Sequence, residues 1–171
     1  MVKSWDRGVE FEALKARLES LMRRSKTDKE YAYAAILLTQ LLNGSRVSEA
    51  VDAVLAFARS GERRVKVRVR KRKEESERLM VVPERVELRR VAWLVDEEPR
   101  LLVRRVKMYA LNKLRVNTHS LRYAFITHLA RRGISAQIIA KITGHRRLDY
   151  ILHYTQRVEA EKLLEKIVEE A

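Results

Sequence analysis

Residues 117–154 read NTHSLRYAFITHLARRGISAQIIAKITGHRRLDYILHY and carry most of the pattern that decides the fold. The stretch opens with apolar residues at the spacing of one helix face, namely Leu121, Phe125 and Leu129. Gly133 then marks a turn, and Ser135 is placed to cap a second helix. We therefore predict two packed helices, followed by a short element that ends near Tyr154.

The second of these helices is apolar on one side, where three isoleucines are expected to pack it onto the first: Ile138, Ile139 and Ile142. Two helices joined by a glycine turn also occur in the DNA-recognition units of repressors. Only Gln137 and Lys141 are offered outward here, so the helix is better suited to packing than to reading bases. A catalytically inert DNA-binding module stays open as an alternative function.

His119 and Arg122 lie three positions apart at the start of the first helix, so they project from the same side. Thr118 or Ser120 is expected to cap this helix. A helix start favours negative charge, because its free N–H groups and its dipole are positive there. This corner is a candidate anion site, and a solvated helix start is the plainer interpretation of the same residues.

Gly144-His145 follows the second helix, and Tyr154 comes nine residues after His145. A tyrosine hydroxyl is a candidate nucleophile when basic groups surround it. Tyr154 is the tyrosine whose surroundings suit that role. The others, and two histidines without a partner motif, are assigned to the core or the surface: Tyr31, Tyr33, Tyr109, Tyr123, Tyr150, His128 and His153.

The chain before residue 60 also has the helical period. A short amphipathic helix is expected over residues 11–22, and a second follows a cap at Thr27 or Asp28. Gly44 ends this second helix, and a third is expected from residues 45–48 to about residue 58.

After Ser60-Gly61 the helical period gives way to alternation. Valines and basic residues alternate in the order Val65, Lys66, Val67, Arg68, Val69 and Arg70. A polar turn at residues 73–76 leads into a return strand from Leu79 to Val82. The pattern beyond residue 84 is helical again, so the fold class is mainly α with a small antiparallel β-hairpin.

Arg46 lies just past the end of the second helix, three residues before Glu49. An arginine here can present its planar fork to a phosphate while Glu49 supports it from the next helical turn. An ordinary ion pair at a helix start has the same spacing.

Charge is strongly unbalanced, with 37 Lys and Arg against 23 Asp and Glu and a formal net charge of +14. Nine basic residues and one acid lie within residues 59–73, whereas residues 158–171 hold five glutamates and two lysines. A basic middle predicts a DNA-binding face, and an acidic end predicts a separate protein-contact segment. A solvated basic surface is the alternative.

The chain has no cysteine, which excludes disulfides and thiolate metal sites. No apolar run reaches the length of a membrane span, and no apolar signal segment opens the chain, so we expect a cytoplasmic, nucleoid-associated protein. Only three Asn and three Gln accompany 35% charged residues, a bias that resembles thermophile proteins.

Taken together, these motifs resemble the catalytic domain of the tyrosine recombinase, or phage integrase, family, with archaeal and Xer-like integrases nearest in character. The resemblance covers about residues 28–156 and rests on an Arg-x-x-Glu motif, a basic hairpin, a His-x-x-Arg motif, and Gly-His followed by Tyr. It implies a metal-independent DNA strand transferase that needs no cofactor. A type IB topoisomerase-like strand transferase uses a similar residue set and stays as an alternative.

The resemblance also implies a role for each site residue. Arg46 and Arg122 would bind the scissile phosphate, His119 would act as general acid and base, and His145 would hydrogen-bond the phosphate. Tyr154 would attack the phosphorus and give a 3′-phosphotyrosyl intermediate. Double-stranded DNA is the implied partner, bound by a homo-oligomer, expected to be a tetramer.

The family's general-acid lysine falls on Lys73 when the hairpin is aligned on Glu77-Arg78, with Lys71 as the alternative two residues away. This lysine would protonate the leaving 5′-oxygen. Other basic residues of the hairpin, and two after Gly-His, are expected to contact DNA: Lys66, Arg68, Arg70, Lys71, Arg72, Arg146 and Arg147.

We divide the chain into a lead-in segment (1–27), a catalytic domain (28–157) and a C-terminal helix (158–171). The lead-in is too short for the DNA-clamping domain that usually precedes this catalytic domain, so the chain is expected to be a catalytic fragment or a minimal protein. The C-terminal helix has an apolar stripe among glutamates and is a candidate protomer contact, with packing on its own domain as the alternative. Its deletion is expected to weaken assembly on paired sites.

Overall fold

The computed structural model describes residues 10–69 and 76–171, except for the side chains of Tyr150 and Tyr154. The described residues form eight α-helices, a short 3₁₀ turn and one antiparallel pair of strands. In chain order the elements are α1 (Phe11–Arg24), α2 (Asp28–Asn43), α3 (Val47–Ser60), β1 (Arg64–Arg68), β2 (Glu77–Val81), α4 (Leu88–Val91), the 3₁₀ turn (Ala92–Asp96), α5 (Pro99–Leu114), α6 (Thr118–Arg131), α7 (Ala136–Thr143) and α8 (Asp149–Glu170). The predicted fold class is confirmed.

The larger of two hydrophobic clusters surrounds α2, in which every residue from Tyr31 to Leu41 is buried. Helices α1, α3 and α5, the hairpin and the first half of α6 pack around it, and we call this the large cluster. The apolar face of α1 lies in the same core: Phe11, Leu14, Leu18 and Met22. The lead-in helix thus shares a core with the segment beyond residue 28, while the proposed domain limits stay a prediction.

The ends of α2 are where the sequence predicted them. The side chain of Thr27 accepts a hydrogen bond from the backbone N–H of Glu30, which satisfies one of the free donors of the first turn. Gly44 ends the helix with a left-handed φ of 58°. A Cβ atom at Gly44 would lie 2.2 Å from a ring carbon of Phe125, so glycine is required both for the turn and for the close packing of α6.

The hairpin pairs β1 with β2 in antiparallel register, with Val67 opposite Arg78. Val65, Val67 and Val69 face the core as predicted. The return strand spans Glu77–Val81, two residues earlier than its predicted start at Leu79. Its inward positions include Arg78 and Met80, because residues that pair directly across an antiparallel ladder share a face of the sheet. The predicted turn around Lys73 lies outside the described residues.

The smaller cluster joins the second half of α6 to α7 and α8. Among the described residues it consists of Ile126, Ala130, Ala136, Ile139, Ala140, Ile151 and Val158, and we call it the small cluster. Asn117 caps α6 by accepting a hydrogen bond from the N–H of Ser120, so the predicted caps at Thr118 and Ser120 were wrong by one to three residues. Ser135 caps α7 as predicted.

Of the three isoleucines expected to pack α7, only Ile139 is buried. Ile138 is 55% exposed and Ile142 is 40% exposed. The prediction failed because α7 is only eight residues long, and the other residues that it buries are small: Ala136, Ala140 and Thr143. The helix therefore presents two uncovered apolar residues beside Gln137 and Lys141.

Helix α8 runs without a break through Asp149–Glu170, so the predicted short element around Tyr154 and the predicted C-terminal helix are one helix. Val158 is its last buried residue. Beyond it the apolar stripe is exposed, at Leu163, Leu164, Ile167 and Val168. Within the described part of the chain, no helix combines the length and the apolar character needed to cross a bilayer.

Candidate active site

A buried carboxylate lies at the centre of the site. The side chain of Glu49, in the first turn of α3, is fully buried. Its Oε2 receives a hydrogen bond from Nη1 of Arg46 at 3.1 Å, the contact expected from their spacing, and its Oε1 receives one from Nη1 of Arg78 at 3.1 Å. A buried carboxylate needs opposite charge and hydrogen bonds, and the two arginines supply both to Glu49.

Arg78 enters the site from β2 and is the residue that the sequence interpretation missed. Besides Glu49, its guanidinium donates to the carbonyl oxygens of Asn43 at 2.6 Å and Thr143 at 3.2 Å. Burial is the largest influence on its pKa, which is lowered from the usual range, and the charge of Glu49 opposes that effect. The available signal was its register: a residue opposite the inward Val67 must itself face inward.

Arg122 projects from the second turn of α6 and is 4% exposed. Burial lowers its pKa to about 10; the charges of Arg46 and Arg78 also lower it, and Glu49 works in the opposite direction. Its Nη2 lies 3.2 Å from Nε2 of His145. Its Nη1 is buried and has no hydrogen-bond partner among the described residues. A buried guanidinium N–H without an acceptor marks a place where a ligand oxygen can bind.

His145 lies just beyond the glycine that ends α7, and its protonation can be deduced from its neighbours. The hydroxyl of Thr143 donates its only proton to the carbonyl oxygen of Ile139 at 2.8 Å. The same hydroxyl lies 2.6 Å from Nδ1 of His145, so it must accept a proton from that nitrogen. Nε2 is then the unprotonated nitrogen; Nη2 of Arg122 lies 3.1 Å from Nδ1 and 3.2 Å from Nε2, and in this tautomer only Nε2 can accept from it.

The surroundings of His145 agree with this neutral state. Its pKa is lowered to about 3, mainly by burial and also by the positive charges of Arg122, Arg46 and Arg78. Three guanidiniums and one carboxylate therefore meet beside a neutral imidazole, which leaves two positive charges in excess; Arg78 and Arg122 are buried there, and the side chain of Arg46 is 28% exposed. Such an excess is stable only if an anion or water offsets it.

A cavity of about 320 Å³ borders this cluster between the hairpin and α7, and its walls include Val69, Arg78 and His145. Elsewhere in the described chain, no group of histidine and carboxylate side chains gathers in a way that could hold a metal ion. The arrangement can thus bind a phosphate-sized anion through arginine and orient it beside a histidine.

Known proteins share this sequence pattern. The pattern of the phage integrase family matches residues 94–161. A presumed integrase of Acidianus two-tailed virus is 41% identical over 172 residues, which cover 97% of this chain and 70% of that protein. The chain belongs to the phage integrase family of tyrosine recombinases.

Two further relatives extend the comparison. An uncharacterised protein of Methanocaldococcus jannaschii is 32% identical over 96% of this chain and 89% of its own length. A tyrosine recombinase of Pseudothermotoga lettingae is 31% identical over 71 residues, or 40% of this chain and 25% of that protein. The resemblance to tyrosine recombinases read from the motifs is confirmed, and a role in DNA recombination follows from the family.

In this recombinase-family chain the structure unites four of the predicted site residues: Arg46, Glu49, Arg122 and His145. His119 is exposed in the first turn of α6. The backbone of Tyr154 lies in the second turn of α8. Lys73 lies outside the described residues, so its place in the site stays a prediction.

Of the predicted DNA contacts, some are described by the structure and others are not. Lys66 and Arg68 are exposed on the outward face of β1, and Arg146 and Arg147 are exposed just after His145. Arg70, Lys71 and Arg72 lie outside the described residues. Of the two histidines assigned to structure or surface, His128 stacks on Phe11 with ring centroids 4.1 Å apart, and His153 is exposed.

Proposed function

We propose that this chain cleaves and rejoins DNA strands through a 3′-phosphotyrosyl intermediate on Tyr154. The observation that carries the proposal is the buried excess of two positive charges around an unpartnered nitrogen of Arg122. A phosphodiester carries one negative charge, and the five-coordinate transition state formed by a phenolate carries two. The site therefore matches the transition state in charge better than it matches the substrate, which is the condition for catalysis.

In the proposed reaction, Arg46 and Arg122 bind the two nonbridging oxygens. The hydroxyl of Tyr154 loses its proton to His119 and attacks the phosphorus, and the bond to the 5′-oxygen breaks. Lys73 gives that oxygen a proton as it leaves. The reverse sequence, with a different 5′-hydroxyl, rejoins the strand. The phosphotyrosyl bond conserves the energy of the broken linkage, so no nucleotide cofactor is needed.

His145 requires a change of state to hydrogen-bond the phosphate. Its Nδ1–H is already committed to Thr143, and its Nε2 accepts from Arg122. When Arg122 turns its N–H groups toward a phosphate, Nε2 is released, and the negative charge nearby favours a proton on it. We propose that DNA binding raises the pKa of His145 from its value of about 3.

An inert DNA-binding module is the alternative from a different class. Its basis is the outward face of α7, where Gln137 and Lys141 are available to DNA. A module of that kind needs phosphate contacts at its surface, whereas the arginine cluster described above is buried and converges on one point. A type IB topoisomerase-like reaction uses the same covalent chemistry and differs in relaxing supercoils rather than exchanging strands.

A nicked suicide DNA substrate tests the covalent step, because the short strand that leaves cannot return. We expect a covalent protein–DNA adduct on a denaturing gel with the unchanged protein and with Tyr150→Phe, and none with Tyr154→Phe. An adduct with Tyr154→Phe would show that another residue attacks. Absence of any adduct, with DNA binding intact, would favour the inert module.

We also propose that the protein assembles on DNA through the exposed end of α8. This segment carries an apolar stripe and five glutamates against two lysines, so two copies of it repel each other. Helix α5 has an apolar surface of opposite charge: Leu101, Met108 and Leu111 are exposed, and its charged residues are all basic. The end of α8 from a second copy therefore fits α5 better than it fits another α8.

A further inference from the structure

An arginine on the inward face of a two-stranded sheet is costly unless its hydrogen bonds are made. Arg78 is 7% exposed, while its neighbours Leu79 and Val81 are 46% and 42% exposed. The strand thus buries a charged side chain next to Met80 while two of its apolar residues are exposed, which burial alone does not favour. Hydrogen-bond acceptors must therefore hold Arg78 inward, and the structure shows three of them.

Two of these partners are helix ends. Asn43 is the last residue of α2, and Thr143 is the last residue of α7. The carbonyl oxygens at a helix C-terminus lack partners within the helix and carry partial negative charge. Arg78 donates to both of them and to Glu49 at the start of α3, so one guanidinium joins the ends of three helices.

Each of these helix ends is followed or accompanied by a residue of the site. Arg46 comes three residues after Asn43, His145 comes two residues after Thr143, and Glu49 is the ion-pair partner of Arg46. Arg78 itself lies on the strand that returns from the hairpin predicted to carry the general-acid lysine.

We infer that Arg78 is a positioning residue for strand cleavage, which sets the arginine, histidine and hairpin segments at fixed distances from one another. This inference rests on the proposed function for its catalytic consequence. The positioning role requires the planar guanidinium of Arg78, because that group reaches three acceptors in one plane. A lysine ammonium cannot reach both carbonyls and the carboxylate together.

The chain offers a matched control on the opposite side of the molecule. Arg90 also binds one carboxylate and two backbone carbonyls, those of Asp28, Ser25 and Thr27. Its side chain is 19% exposed and lies over the ring of Tyr31. Arg90→Lys thus removes a comparable set of guanidinium hydrogen bonds without changing a residue of the site.

The test compares Arg78→Lys with Arg90→Lys. Arg78→Ala is avoided, because it leaves Glu49 with one cation fewer and is expected to impair folding. At saturating suicide substrate and below both melting temperatures, we expect Arg78→Lys to slow cleavage about 100-fold, the cost of a misplacement of roughly 1 Å. DNA affinity should change less than about threefold, because most of it comes from other phosphate contacts. Arg90→Lys should cleave at the unchanged rate.

A second measurement needs no DNA. Burial is the main cause of the low pKa of His145, so loosening the end of α7 should let water reach the ring. NMR titration should show the pKa of His145 moving toward about 6.5 in Arg78→Lys and not in Arg90→Lys. Cleavage at the unchanged rate by Arg78→Lys, or equal slowing by both variants, would overturn the inference. If the unchanged protein forms no adduct, the proposed function fails, and the His145 titration alone decides the role of Arg78.

Discussion

The two hydrophobic clusters differ in size, and each carries a different part of the site. The large cluster, built around α2, holds Arg46, Glu49 and Arg78 at its edge. The small cluster, between α6, α7 and α8, holds His145 and the backbone of Tyr154. Arg122 lies on α6, the helix that contributes residues to both.

This difference in size predicts that the two parts of the site are held with different firmness. Buried apolar area is the main source of stability, and a segment with little of it opens at low cost. We therefore expect the arginines proposed to bind phosphate to be held in place by the larger core. The segment that carries the proposed nucleophile is held by the seven buried apolar residues described in the small cluster, so we expect it to move more readily. In a strand-exchange reaction, this would let Tyr154 adjust while the phosphate stays bound.

The largest expected effect comes from the arginines at the edge of the large cluster. Arg46→Ala and Arg122→Ala should each slow cleavage by about 10³-fold, since each removes a charge-assisted contact to the transition state. Arg68→Ala, on the exposed face of β1, is the control: it should weaken DNA binding and leave cleavage at saturating DNA unchanged. Suicide-substrate kinetics measure both quantities. Parallel losses of binding and cleavage would show that Arg46 and Arg122 are ordinary phosphate contacts.

The loss of the hairpin lysine should have the next largest effect. Lys73→Ala should slow cleavage about 100-fold by removing the general acid. A substrate with sulfur in place of the 5′-oxygen needs no protonation on leaving, so it should restore the rate. Lys71→Ala should change little with either substrate. The opposite pattern would assign the role to Lys71.

Alanine substitutions at two glycines with left-handed φ compare how tightly the two clusters are packed. Gly44→Ala should cost about 2–4 kcal/mol, because the added Cβ meets Phe125 at 2.2 Å in addition to the backbone strain. Gly133→Ala, beside the small cluster, has the same kind of strain but nothing within 4 Å, so it should cost about 1 kcal/mol. Urea denaturation measures both. Equal costs would mean that packing against Phe125 contributes nothing.

Amide hydrogen exchange should distinguish the clusters without mutation. We expect amides in α7 to exchange about tenfold faster or more than those in the middle of α2, because fewer apolar contacts must break to expose them. Bound DNA should reduce the difference, since it joins the two parts of the site. Equal protection in DNA-free protein would contradict the proposed division.

The smallest effect on stability is expected at the end of α8. Val158 is buried, so the informative deletion removes residues 159–171 and keeps it. We expect the melting temperature to change by about 2 °C or less, since the removed side chains are exposed. Assembly on paired DNA sites should weaken, while binding to a single site is retained. Analytical ultracentrifugation with and without DNA tests this, and unfolding without loss of assembly would show that the helix serves its own core.

Much of the fold could be predicted from local sequence because its signals are local. The cap at Thr27, the end at Gly44 and the inward valines of β1 each depend on the chemistry of a few neighbouring residues. The Arg46–Glu49 pair was predictable for the same reason, since side chains three positions apart at a helix start are neighbours. The caps of α6 were mispredicted because several neighbouring residues could serve equally well, and the packing of Ile138 was mispredicted because α7 is short and buries small side chains instead.

The sequence by itself determined the family, the helical class and the set of groups that could act on a phosphodiester, because residue type and short spacing decide these. Only the tertiary structure decided that Arg78 joins the site, that His145 is neutral there, and that α8 is continuous through Tyr154. These facts depend on hairpin register, on burial and on contacts between residues such as Arg78 and Thr143, which lie 65 positions apart. Distances of that kind are set by how helices pack, and no local pattern records them.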